Sequence, residues 1–397
     1  MTGSDGVGPP QLSLSALFFK FLRFGALAFG GPVAQIAMLR QALVEQERWI
    51  GSARFNRLLA VLQVLPGPEA HELCVHLGMI ARGRIGGLLA GLGFMLPGLL
   101  LMLAAGWLYV NWIAGNAGLS GALLGVQVVV LAVILRAVVR IGGHILETWL
   151  LGAITLASLL ATLIGVPFWI PLVAAGLTYA LSHRPVAAWG VVVVVAILTA
   201  IGTRYLDLSA VGPADLTRDP VTLTALLIAG LKGGLLTFGG AYTAIPYVRT
   251  DTVGRGWISD ATFLDGVALA GVMPAPLVIF ATFAGYVAGG LGGALAITAG
   301  MFLPAFAFSL ILFERLEALV ENPALHKLLA GVAAAVVGVI AATCIELGMA
   351  TAGRITNPAL SAILFGGALL VVWRAKGSWV APATVVSGAL IGLLLMP

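Results

Sequence analysis

The sequence predicts an all-α integral membrane protein made of two homologous halves of inverted topology, with broken or re-entrant helices. Three observations predict it. The 397 residues are 60% hydrophobic and 9% charged, against about 25% charged in soluble domains. Apolar runs of membrane length fill the chain. A set of glycine, proline and cation positions recurs in order at a nearly constant spacing.

Charge comes first. A soluble fold so poor in charge cannot cover its own surface, and mean hydropathy is +1.07. The 52 glycines suit membrane helices, where small residues let backbones approach closely. The net charge of +5 is scattered between apolar runs. It forms no basic stripe, so nucleic acid is not an expected partner and the basic residues read as topology markers. Cys74 and Cys344 stand far apart inside apolar stretches and read as buried thiols. No Cys/His spacing suggests a metal, and no cofactor is expected. Residues 1–11 lack a basic n-region and read as a cytoplasmic tail, not a signal peptide.

A crossing needs about 20 apolar residues. Candidates lie at 12–30, 58–81, 85–110, 119–140, 146–166, 168–182, 186–203, 221–239, 262–286, 290–313, 328–349, 357–373 and 379–396. An open sheet edge cannot sit in lipid, so every element is helix or helix break.

The repeat comes next. Phe29-Gly30-Gly31 recurs as Phe238-Gly239-Gly240 at an offset of 209, with Arg23 on Lys232 and Gly25 on Gly234. Trp49-Ile50 falls on Trp257-Ile258 and Pro66-Gly67-Pro68 on Pro274-Ala275-Pro276, both at 208. Pro97 falls on Pro304 at 207. The expected domains are N-terminal and C-terminal repeats at 12–203 and 221–396, joined by an extramembrane linker at 204–220. Seven candidate crossings precede the second copy, and an odd number inverts it. With the N-terminus inside, Arg82/Arg84, His183/Arg184 and Arg374/Lys376 fall inside. Residues 40–57 carry four arginines on the wrong side of that count. Re-entrant hairpins at 12–44 and 58–81 repair it, and the expected crossings then range from nine to thirteen, with inversion kept.

Three features can carry chemistry. In Phe29-Gly30-Gly31-Pro32 glycine frees the backbone and proline lacks a donor, so one helix ends and another begins. A break at membrane depth is tolerated only beside protein or a water-filled cavity. The new helix offers unpaired N–H groups and a positive dipole end, a cradle for an anion. The alternative is close packing at glycine. Ala241 replaces Pro32 in the second copy, which predicts a softer break there. In Gln63-Val64-Leu65-Pro66-Gly67-Pro68 two prolines one residue apart again stop a helix, or else kink it. Glu69, His71, Glu72 and His76 follow within eight residues and read as a proton relay, or as the aqueous face of a short re-entrant segment. Lys20 and Arg23 share a helix face. Arg23 falls near mid-membrane by rise per residue and keeps a cation partner in Lys232, whereas Lys20 reads as snorkelling.

Phe-Gly-Gly-Pro, then Gln-x-x-Pro-Gly-Pro, then a divergent second copy resemble the chromate ion transporter family in its long, two-domain form. The resemblance covers nearly the whole chain. It implies a prokaryotic plasma-membrane exporter of chromate, a dianion shaped like sulfate. By position it implies roles for Gly30, Gly31, Pro32, Gln63, Pro66, Gly67, Pro68, Gly239, Gly240, Pro274 and Pro276, with Ala241 and Ala275 departing from the stricter first-half pattern.

The expectation is therefore a secondary transporter, not an enzyme, that exports chromate by alternating access. Its substrate-binding residues are Arg23, Lys232 and the motif positions. Its partners are an oxyanion and membrane lipid, and a homodimer stays open. Sulfate transport, an anion channel and a membrane enzyme acting on lipid phosphates are the alternatives.

Overall fold

A computed structural model describes residues 8–29, 31–62, 66–184, 190, 220–237, 241–312, 323–355, 357–375, 377 and 379–396. Apart from residues 190 and 220, the crossing expected at 186–203 and the linker at 204–220 lie outside the described residues, as do Gly30, Gln63, Gly239 and Gly240. Among the described residues every regular element is a helix. Lipid supplies no hydrogen-bond partners, so backbone groups must pair within each segment.

The first half contains α1 (Leu14–Ala26), α2 (Gly31–Arg40), α3 (Ser52–Leu62), α4 (Glu69–Leu108), α5 (Ser120–Ile145), α6 (Trp149–Leu163) and α7 (Trp169–Ala180). The second contains α8 (Leu223–Leu235), α9 (Ala244–Thr252), α10 (Asp260–Val272), α11 (Phe280–Ala307), α12 (Pro323–Ala352), α13 (Pro358–Arg374) and α14 (Val380–Leu395). Four stretches are long and apolar enough to cross a membrane: Glu69–Ile113, Ser120–Ile145, Leu277–Ile311 and Lys327–Ala352. The chain is a multi-pass membrane protein.

The two halves agree in backbone detail. Ser13 caps α1 through the Ala16 N–H, and Thr222 caps α8 through the Ala225 N–H. Glu69–Ile113 has 45 residues and would run about 68 Å as a straight rod, more than twice the roughly 30 Å hydrocarbon core. It reverses instead at Arg82 (φ −145, ψ 31) and Gly83 (φ 64, ψ −160). α11 reverses the same way at Gly289 (φ −141, ψ 23) and Gly290 (φ 63, ψ −157). The positive φ makes the second position of each turn a glycine site. The short arm of α4 then lies on its long arm so closely that a Cβ on Gly78 would stand 2.5 Å from the Gly86 carbonyl oxygen. Gly285 meets Gly293 in the same way at 2.6 Å. The glycine run at 289–293 is thus both turn and packing surface.

Each half first packs on itself: α1 lies on α4, and α8 on α11. Glycine sets the separation, with a Cβ on Gly25 falling 2.3 Å from the Phe94 carbonyl oxygen and one on Gly234 falling 2.3 Å from that of Met301. The later helices exchange partners. α6 and α7 pack on α12 of the second half, whereas α13 and α14 pack on α5 of the first. Gly125 of α5 sits against the Gly388 carbonyl of α14 at 2.2 Å from its Cβ position, and Gly338 of α12 against Thr155 of α6 at 2.2 Å. α4 meets α11 and α5 meets α12 across the centre. Trp107, Trp112, Trp149, Trp169, Trp373 and Trp379 stand exposed near helix ends, where amphipathic rings suit the membrane–water boundary.

Candidate functional site

The expected breaks place helix ends at one locus. α1 stops at Ala26 and α2 starts at Gly31; α3 stops at Leu62 and α4 starts at Glu69; α10 stops at Val272 and α11 starts at Phe280 after a 3-10 turn, Leu277–Ile279. α8 stops at Leu235, and a 3-10 turn, Ala241–Thr243, leads into α9. The second copy, lacking proline, thus enters its helix through a tighter turn rather than directly.

These breaks meet between α4 and α11. Gln35, 1% exposed, donates from Nε2 to the carbonyl oxygens of Ala28 (2.8 Å) and Ala275 (2.9 Å). It ties the first break of one half to the second break of the other. The Gly67 N–H donates to the Thr237 carbonyl oxygen at 2.8 Å, the reciprocal tie. A Cβ on Gly67 would stand 3.3 Å from the Ala305 methyl, and one on Gly98 would stand 2.3 Å from that of Ala275. Gly67 and Ala275 are repeat partners, as are Gly98 and Ala305, so the two contacts are one contact made twice. Phe29 stacks on Trp379 at 5.0 Å between ring centroids, bringing the start of α14 to the first break.

α4 begins without a side-chain cap. α9 and α11 follow 3-10 turns, and the Phe280 N–H at the start of α11 already donates to the Leu277 carbonyl oxygen. An uncapped helix N-terminus presents N–H groups and partial positive charge to an anion. Gly31 holds φ +78, with no atom within 4 Å of a Cβ position, so backbone faces open space at the start of α2. Pro32 occupies the first turn of α2, where its missing N–H costs nothing.

Glu69, His71, Glu72 and His76 all lie on the short arm of α4 and are 8%, 0%, 0% and 6% exposed. His71 sits edge-on to Phe302 (4.9 Å) and Phe306 (4.7 Å) of α11. Neither oxygen of Glu72 has a hydrogen-bond donor among the described residues. A Cβ on Gly67 would stand 2.5 Å from Glu72 Oε1, so this carboxyl folds back over the second break.

The cations differ in their surroundings. Arg23 is exposed in the last turn of α1, where the helix dipole favours positive charge. Among the described residues it has no ion pair. Lys20 is paired with Glu47, which also accepts from Trp49 Nε1. Lys232 pairs with Asp251 at 3.1 Å, and Arg255 shares that carboxylate at 3.3 Å. No described contact joins Arg23 to Lys232. Pro274 and Pro276 flank Ala275 in the second break of the second half.

Sequence reasoning missed three features. Gln35 is one; its signal was a lone amide in an apolar run just after Gly31-Pro32. Asp251 is another. The third is a buried network in which Tyr109 Oη and Gln127 Nε2 each donate to Asp265 at 2.9 Å while Arg354 donates to Gln127 Oε1 at 3.0 Å. It joins the end of α4, α5, α10 and the end of α12. A single aspartate inside the apolar stretch 262–286 was its trace.

Comparison with known proteins follows the same division into halves. The sequence model of a family described as "Chromate transporter" matches residues 15–181 and 224–393. A chromate transport protein of Pseudomonas aeruginosa is 53% identical over 392 residues, covering 98% of this chain and 94% of the relative. A chromate transport protein of Cupriavidus metallidurans is 30% identical over 401 residues, covering 98% and 94%. An uncharacterized transporter of Methanocaldococcus jannaschii is 26% identical over 343 residues, covering 84% of each chain. No solved structure matches.

Proposed function

The chain belongs to the chromate transporter family, and on that premise we propose that it exports chromate across a prokaryotic plasma membrane as a secondary transporter working by alternating access. One observation carries this reading: broken helices from both halves, tied by Gln35 and by the Gly67 N–H, meet between α4 and α11. Secondary transporters with inverted repeats bind substrate at such discontinuous helices near the bilayer midplane. The starts of α2 and α4 supply donors for a tetrahedral oxyanion, with Arg23 and Lys232 supplying full charge. Gly30, Gly31, Gln63, Gly67, Gly239 and Gly240 belong to these breaks, and Pro32, Pro66, Pro68, Pro274 and Pro276 terminate or start their helices. Glu69, His71, Glu72 and His76 carry protons. The N-terminus is cytoplasmic, and repeats 12–203 and 221–396 are joined by 204–220.

Uptake of labelled chromate and sulfate into inside-out vesicles, with and without a proton gradient, tests the function. Export in the cell becomes concentrative uptake in these vesicles. Chromate should accumulate above its external concentration, and sulfate should compete. Flux that only equalises the two sides would make the protein a channel; sulfate accumulation without chromate uptake would change the substrate.

The odd number of crossings expected before the second copy supports inverted topology, and the reciprocal exchange of α6–α7 and α13–α14 supports a two-fold relation of the halves. Gln41 and Thr250 are equivalent at an offset of 209 and both are exposed. With Cys74 and Cys344 replaced, Gln41→Cys and Thr250→Cys should react with a membrane-impermeant maleimide from opposite sides. Labelling from the same side would end the inverted arrangement.

A further inference from the structure

We propose that Glu72 and the transported oxyanion exclude each other from the N-terminus of α4, so that the anion binds only when Glu72 carries a proton. The inference rests on reading the breaks as the anion site, and it specifies how that site is coupled.

The geometry is the starting point. Glu72 lies in the first turn of α4, where the helix end favours negative charge. Its side chain is fully buried and folds back over Gly67, with Oε1 2.5 Å from a Cβ position there. Neither oxygen meets a donor among the described residues. The carboxyl thus lies beside the start of α4 without bonding its N–H groups, close enough for its charge to oppose an anion held there.

Its neighbours leave little else to neutralise it. On the same arm stand Glu69, a like charge acting on Glu72, and His71 and His76. From α11 come the Phe302 and Phe306 rings beside His71 and the Ala305 methyl beside Gly67. From α3, Arg54 acts on His76. A dianion added to an ionised carboxyl in such apolar walls meets repulsion that water does not screen. Protonation removes the charge and with it the repulsion. The anion then crosses with one proton, which stays on the carboxyl while the anion is bound and is released on the side where the anion leaves.

The repeat makes this a single-proton device. Where the first half has Glu69, His71, Glu72 and His76, the second has Leu277, Ile279, Phe280 and Ala284. Only one of the two related helix starts carries its own anion.

Sulfate is the probe of choice because it stays a dianion from mildly acidic to mildly alkaline pH, so any pH dependence belongs to the protein. In purified full-length protein, the apparent sulfate affinity read by thermal stabilisation should fall as pH rises. The limiting slope is about tenfold per pH unit for one linked proton. Glu72→Gln should bind at all pH values with that slope lost. A Glu72→Gln protein that keeps the wild-type slope, or a wild type without one, overturns the inference while leaving the anion site standing. Proteoliposomes holding wild-type protein give a second reading independent of the variant. Sulfate entering down its gradient should acidify the lumen, and entry without acidification overturns the coupling. If the wild type neither binds nor moves chromate or sulfate, the anion site itself fails, and the coupling with it.

Discussion

Gly31→Leu should abolish chromate transport in a protein that still inserts and purifies, whereas Gly31→Ala should retain most of it. The two substitutions separate two costs. Both place a side chain at φ +78, a conformation that costs about 1–3 kcal/mol for a non-glycine residue. No atom lies within 4 Å of the Cβ position, so alanine adds backbone strain and little else. Leucine adds an apolar branch in the space at the start of α2, where the donors of that helix point. A dianion cannot approach N–H groups shielded by a hydrocarbon side chain without losing the charge-assisted hydrogen bonds that replace its water. Size-exclusion profiles in detergent should match the wild type for both variants, and vesicle uptake should be lost only for leucine. Equal transport by both would reduce Gly31 to a turn residue. Equal loss would place the effect in the backbone and not in the cradle.

The breaks were legible because their cause is local. Gly30-Gly31-Pro32, Pro66-Gly67-Pro68 and Pro274-Ala275-Pro276 stop helices by missing donors and free dihedrals, whatever surrounds them. The duplication was legible for a related reason. Phe29-Gly30-Gly31 and Pro66-Gly67-Pro68 mark backbone breaks that recur in the second copy, whereas the matching turns at Arg82-Gly83 and Gly289-Gly290 emerge only from their shared positive φ. What was not legible depends on which surfaces meet. Hydrophobicity marks α6 and α7 as buried on one side, but nothing local says that their partner is α12 of the other half. Gln35 reads as one amide in an apolar run until Ala275, 240 residues away, is brought to it. Lys232 reads as a free cation by analogy with Arg23, and its pairing with Asp251, whose carboxylate Arg255 shares, appears only once α9 packs on α8. Matched positions in a duplicated chain inherit a backbone, while their charges diverge.

That divergence sets the last expected result: Arg23→Gln should weaken chromate binding more than Lys232→Gln. A buried dianion needs about two positive charges to offset its lost hydration, and each helix N-terminus offers only about half a charge. Full charges must supply the rest. Arg23 has no ion pair among the described residues, so all of its charge is available to a ligand. The Lys232 charge is already largely answered by Asp251, which is 8% exposed in its side chain and also serves Arg255. Hydrogen bonds to charged groups contribute about 1.5–3 kcal/mol, so Arg23→Gln should raise the apparent Kd for chromate roughly 10- to 100-fold. Lys232→Gln should shift it only a few-fold, and Asp251→Asn, which releases Lys232, should tighten binding. Arg23→Lys keeps the charge but loses the planar fork that grips two oxygens of a tetrahedron, and should fall between wild type and Arg23→Gln. Chromate-dependent thermal stabilisation of the four purified variants measures all of this in one series. If Arg23→Gln and Lys232→Gln both keep the wild-type response, neither cation touches the anion and the site rests on helix N-termini alone. If Lys232→Gln is the more damaging, the ion pair with Asp251 must open when substrate binds, and the second half then holds the stronger charge.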